Sequence, residues 1–76
     1  MIHVGMDVHK RFSRVVVTDE AGIVRKRISL YHNNKPAIEQ FFRSLAGKAV
    51  VTMEAVRNWY WLYELLEGLG LPVTVH

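Results

Sequence analysis

Lys48-Ala49-Val50-Val51-Thr52-Met53 is where the fold of this chain declares itself. The run is short, apolar and β-branched, and it lies between two segments of helical periodicity. No polar strand stands beside it in sequence to pair with it. Those are the marks of a buried parallel strand. A parallel strand needs a crossover, and the helical segments on either side supply one each.

Working outward, the segment before it reads as a helix. Asn33-Asn34-Lys35-Pro36 offers cap residues and a proline suited to a first turn. Ile38, Phe41, Phe42 and Leu45 follow at i, i+3, i+4 and i+7, and Gly47 ends the stripe. A second helix is predicted from Asn58 to Leu69, with Trp59, Leu62, Leu66 and Leu69 on one side and Gly70 and Pro72 closing it. Val73-Thr74-Val75 then begins a fifth strand.

Towards the amino terminus the period is two. Ile2, Val4 and Met6 alternate with His3, Gly5 and Asp7, and Phe12 to Thr18 is again strand-like. Asp19-Glu20-Ala21-Gly22 is a polar turn, and Ile23 to Tyr31 alternates once more, with Ile23, Arg25 and Arg27 set against Val24, Lys26 and Ile28. Three strands with short connections form an antiparallel meander. The class is α/β, in the order β-β-β-α-β-α-β. Two right-handed crossovers in one direction put both helices on one face of the sheet. The other face is left bare, and it is expected to meet a further element or a second copy of the chain.

Composition narrows the function. The 76 residues suit one small domain, and half of them are apolar, which excludes a disordered tail. Cysteine is absent, so neither a disulfide framework nor a thiolate metal site is available. No apolar run approaches the roughly 20 residues of a membrane-spanning helix, and Met1-Ile2-His3 opens directly on strand alternation with no leader. A cytoplasmic protein is the expectation. Net charge is +3, with clusters at Lys10-Arg11 with Arg14 and at Arg25-Lys26-Arg27. Such clusters are compatible with a polyanion, and they also serve solubility.

Two carboxylates stand out by position. Asp7 ends the first strand and Glu54 ends the buried fourth. Sites in sheets with parallel strands form outside the carboxyl ends of those strands. If strands one and four are neighbours, about 4.8 Å apart, the two acids project to one point. Their repulsion calls for a cation between them, and hard oxygen ligands suit Mg²⁺ or Mn²⁺. Gly5, on the face of Asp7, would let a substrate backbone approach. Lys10, Arg11 and Arg14 beside the acids could hold phosphates, with His9 assisting contact. His3, His32 and His76 are scattered and lack a helical metal-pair spacing. In Trp59-Tyr60-Trp61, the helical spacing assigns Trp59 to the core and leaves Tyr60 or Trp61 exposed for base stacking.

Val4-Gly5-Met6-Asp7-Val8-His9-Lys10, together with Thr52-Met53-Glu54-Ala55 and Asn58-Trp59-Tyr60-Trp61-Leu62, resembles a known pattern. It is similar to the amino-terminal part of DEDD-type transposases of the insertion-sequence 110 family, whose catalytic domain is RuvC-like with a ribonuclease H fold. The resemblance covers essentially the whole chain. It implies a mixed five-stranded sheet in the order 3-2-1-4-5. It also implies that Asp7 and Glu54 are the first two of four acids binding divalent ions for DNA cleavage and strand transfer. DNA is the implied partner, some members use an element-encoded guide RNA, and a homo-oligomer in a bacterial or archaeal cytoplasm is expected.

Two departures stand out. Val56-Arg57 occupies the places of the usual Thr-Gly, which leaves the Arg57 cation near Glu54 as a further nucleic-acid contact. The chain also stops at His76, before the third and fourth acids. Residues 1–76 would therefore be the first half of a transposase domain, with weak Mg²⁺ or Mn²⁺ binding and no activity alone. Two rivals carry different expectations. The amino-terminal lobe of an actin-like sugar or acetate kinase also opens with a strand, an Asp and a hairpin, but it needs small hydroxyl residues where Val8, His9, Lys10 and Arg11 stand. A non-catalytic fragment dimerising through its bare face would interfere with a full-length transposase.

Overall fold

The structure is a computed structural model that describes residues 1–54 and 60–76. Ala55, Val56, Arg57, Asn58 and Trp59 lie outside the described residues, and with them the Arg57 contact, the start of the second helix and the core role of Trp59. Seven elements follow in the expected order: β1 (Ile2–Val8), β2 (Phe12–Thr18), β3 (Val24–Tyr31), α1 (Lys35–Arg43), β4 (Ala49–Met53), α2 (Tyr60–Gly68) and β5 (Val73–Val75). They build one mixed sheet in the order β3-β2-β1-β4-β5. β1 pairs antiparallel with β2 and parallel with β4, and β4 pairs parallel with β5. The fold is the α/β arrangement that the patterning and the resemblance led us to expect.

Strand alternation sorts the two faces. Val4, Met6 and Val8 of β1, Val15 and Val17 of β2, and Ala49, Val51 and Met53 of β4 are buried. They form one cluster with Ile38 and Phe42 of α1 and Leu62 and Leu66 of α2, so both helices cover the same face. Their neighbours Gly5, Asp7, Arg14 and Thr52 are exposed on the opposite face. Burying a side chain the size of Phe42 or Leu62 stabilises by about 1.5–3 kcal/mol. A small domain therefore depends on a few such residues.

Local chemistry sets the ends of the elements. Asn34 caps α1, its Oδ1 accepting from the Ala37 N–H at 3.3 Å, and a proline sits in the first turn. The helix ends at Arg43, short of the Gly47 stop read from the sequence. Ser44 is the reason: its hydroxyl donates to the Phe41 carbonyl at 2.6 Å, and the chain continues in turns closed by Leu45 N–H to Phe42 at 3.0 Å and Ala46 N–H to Arg43 at 3.3 Å. Leu45 still packs against the core. α2 ends as expected. Leu71 N–H reaches the Leu66 carbonyl at 3.1 Å and Gly70 N–H reaches Glu67 at 2.9 Å. Gly70 takes the left-handed φ of 79° that this ending requires.

β3 departs from simple alternation. A bulge between Val17 and Thr18 pairs Thr18 with Val24 and Val17 with Lys26, so Arg25 has no partner in the ladder. Lys26 consequently faces the helix side, where its ammonium lies 5.6 Å from the Phe41 ring centre. The basic run Arg25-Lys26-Arg27 thus belongs to an edge strand, where cations discourage pairing with another chain.

Candidate metal and nucleic-acid site

β1 and β4 carry their registers forward to a common point. Met6 stands beside Met53, and Met53 beside Val75. One residue further, Asp7, Glu54 and His76 come level at the carboxyl ends of three neighbouring parallel strands. Because each follows a residue on the covered side, all three belong to the open face, and all three are exposed. They line one shallow groove of about 570 Å³, with Gly5, Thr52, Arg14 and Val16 among its other walls. Neighbouring strands lie about 4.8 Å apart, a span that a single ion can bridge between two carboxylates. Asp7 and Glu54 thus share one groove on the open face.

His9 is part of the same arrangement. It continues the alternation of Asp7 past Val8, and its Nε2 lies 3.0 Å from Asp7 Oδ2. The ring stacks on Phe12, with centres 4.8 Å apart and planes at 22°. A carboxylate that is 68% exposed thereby acquires a preferred orientation, held through Oδ2. Arg14 sits directly across from Asp7 in the β1–β2 ladder. Its guanidinium donates to Ser29 Oγ at 3.0 Å rather than to the carboxylate. The groove therefore holds two acids on one side and a cation on the other, which is a polarity suited to a metal-bound phosphate.

The remaining basic candidates fall elsewhere. Lys10 and Arg11 form the tip of the β1–β2 hairpin and line a second groove of about 830 Å³ with His9, Phe12, Tyr31 and Asn33. Arg25 is held by Asp19 at 2.6 Å, at the far end of the sheet from Asp7. The amino-terminal ammonium of Met1 likewise pairs with Glu20 there. Asp19 and Glu20 are thus both engaged and distant, as expected of turn acids.

Three features of the site escaped the sequence reading. His76 joins the acids because β5 extends the parallel ladder, and its level is set by the register of β5 on β4, which strand order alone does not give. Phe12 and Tyr31 form an aromatic pair, with centres 6.0 Å apart, because they are ladder partners on β2 and β3. His32 is a structural tie. Its Nδ1 donates to the Lys10 carbonyl at 3.3 Å, and its Nε2 meets the hydroxyl of Ser13 at 2.8 Å. A carbonyl can only accept, so Nδ1 donates to it, and Nε2 shares the second bond with the Ser13 hydroxyl. Ser13 is 1% exposed, which makes this pair a fastening rather than a nucleophile and base. Trp61 is committed in the same way, edge-on to His32 at 5.2 Å and beneath the Lys35 ammonium at 5.4 Å. Tyr60 is the exposed aromatic of that helix.

The donor set fits a hard divalent cation, though sparsely. Two carboxylates at adjacent strand ends suit Mg²⁺ or Mn²⁺ with several waters retained. Among the described residues, no group of three or more His, Asp or Glu side chains is arranged to hold a metal ion. No helix among them is long and apolar enough to cross a membrane. No family model matches the chain, and no curated protein matches it.

Proposed function

We propose that this chain is the first half of a metal-dependent DNA-rearranging domain of the DEDD transposase kind. One observation carries the reading. Asp7 and Glu54 stand level on the uncovered face, at the carboxyl ends of adjacent parallel strands, over a floor made open by Gly5. Asp7 and Glu54 hold Mg²⁺ or Mn²⁺, His9 orients the Asp7 carboxylate, and Arg14 draws a phosphate towards the pair. Bound there, divalent ions supply charge neutralisation for phosphodiester exchange. These residues supply the first two acids of such a site, and they work as part of a larger assembly that covers the open sheet face, whether a further element or a second copy. DNA is the partner; an RNA guide would meet the same electrostatic surface. The setting is the cytoplasm.

Titration with Mn²⁺, followed by calorimetry and by the loss of its free-ion electron-spin signal, tests the site. The parent is expected to bind in the millimolar range, and the Asp7→Asn, Glu54→Gln double variant is expected to lose that binding. Identical curves for the two proteins would defeat the proposal.

A further inference from the structure

The second groove has features that the acid pair does not explain. Its walls are the stacked rings of His9 and Phe12, with Tyr31 beyond them tilted at 45° to Phe12. Tyr31 is 61% exposed, so its ring is open to a partner. Lys10 and Arg11, both exposed, stand at the rim. Aromatic faces beside cations match a nucleotide, whose base is a flat π surface and whose phosphate is an anion.

The groove is also held in shape. His9 N–H donates to the Phe12 carbonyl at 2.8 Å and closes the hairpin. His32 secures the tip from the other side, its backbone N–H on the Arg11 carbonyl at 2.8 Å and its ring on the Lys10 carbonyl. Both carbonyls at the tip are thus tied, so the Lys10 and Arg11 side chains extend from a fixed backbone. Preorganisation of this kind reduces the entropy lost on binding.

We propose that this groove takes one unpaired nucleotide, with its base stacked on Tyr31 and its phosphate between Lys10 and Arg11. A base inside a duplex has both faces covered by its neighbours, so the groove selects single strands. The His9–Asp7 hydrogen bond links this groove to the acid pair, which places the held nucleotide next to the point where a phosphate would meet the metal. The inference shares the nucleic-acid part of the proposed function but not its metal chemistry. Loss of Mn²⁺ binding and loss of strand binding can therefore be told apart.

The test uses fluorescein-labelled oligothymidine, oligouridine and a duplex of equal length, read by anisotropy at low salt. The parent is expected to prefer single strands. Tyr31→Ala should weaken single-strand binding about 5- to 100-fold while leaving duplex binding unchanged, and Tyr31→Trp should restore it. Arg11→Ala should weaken both and lower the salt slope by about 1. Tighter oligothymidine binding assigns the strand to DNA, and tighter oligouridine binding assigns it to RNA. Failure of the parent to bind single strands, an equal loss on duplex, or an unchanged affinity in Tyr31→Ala would each overturn the inference. Because Tyr31 is mostly exposed, its variants keep the fold, and circular dichroism checks this.

Discussion

Gly5 lies between two buried residues, yet nothing stands within 4 Å of where its Cβ would be, and its φ is not among the positive ones. The backbone does not need a glycine here. A strand glycine costs conformational entropy relative to alanine, so Gly5→Ala should stabilise the protein by about 0.5–1 kcal/mol and raise Tm by a few degrees. A fall in Tm would show that the backbone does need it. The expected gain leaves the groove as the reason for the glycine, since a methyl at this place would rise from its floor towards Asp7. At this scale the sequence was partly legible. Asp7 and Glu54 could be found because a strand's end is marked by where its alternation stops. His76, Phe12 and Tyr31 could not, because each owes its place to a partner on another strand, and ladder register is a non-local property.

The β2–β3 hairpin shows how one side chain can organise an element. Asp19 Oδ1 accepts from the Ala21 and Ile23 N–H groups at 2.9 and 3.0 Å, and Gly22 supplies the positive φ of 81° between them. The Ile23 bond, with help from Arg25 and Ala21, holds the Asp19 carboxyl below the usual carboxylate range. A lowered folded-state pKa means that the ionised group adds stability at pH values above the ordinary carboxylate range. That contribution is lost as pH falls from this range through the lowered value. Asp19→Asn keeps the turn acceptor and removes the charge, so its melting temperature should fall less steeply with acid than that of the parent. Parallel acid limbs in thermal melts would count against the assignment. Element types and order were legible in the sequence because the period changes from two to 3.6 at Asn33–Pro36. The early end of α1 was hidden by a local competitor, the Ser44 hydroxyl, to which apolar periodicity is blind. The bulge at Arg25 was hidden because it is a matter of register between two strands.

For the molecule as a whole, one helix-covered face carries the stability and the other carries the exposed acids. Phe42 is 0% exposed and sits where α1 meets the sheet. Phe42→Ala should cost about 3–5 kcal/mol, comparable to the entire margin of a domain this small. The variant should therefore be largely unfolded at room temperature, as read by loss of the cooperative transition in urea. A cooperative transition with a small shift in midpoint would mean that stability lies elsewhere. Asp7, Glu54, Lys10 and Tyr31 are all exposed and can be changed without such consequences.

Of these five strands β1 is made before the others, and it is the middle strand of the finished sheet. During synthesis it can zip with β2 at once, but its other edge must wait until residues 49–53 have left the ribosome. For that interval the nascent chain is a three-stranded meander followed by α1, with part of its apolar side and its inner edge still open, the kind of intermediate that is prone to aggregate. Placing the Asp7 strand at the centre thus makes assembly of the acid pair the event that ends this vulnerable period.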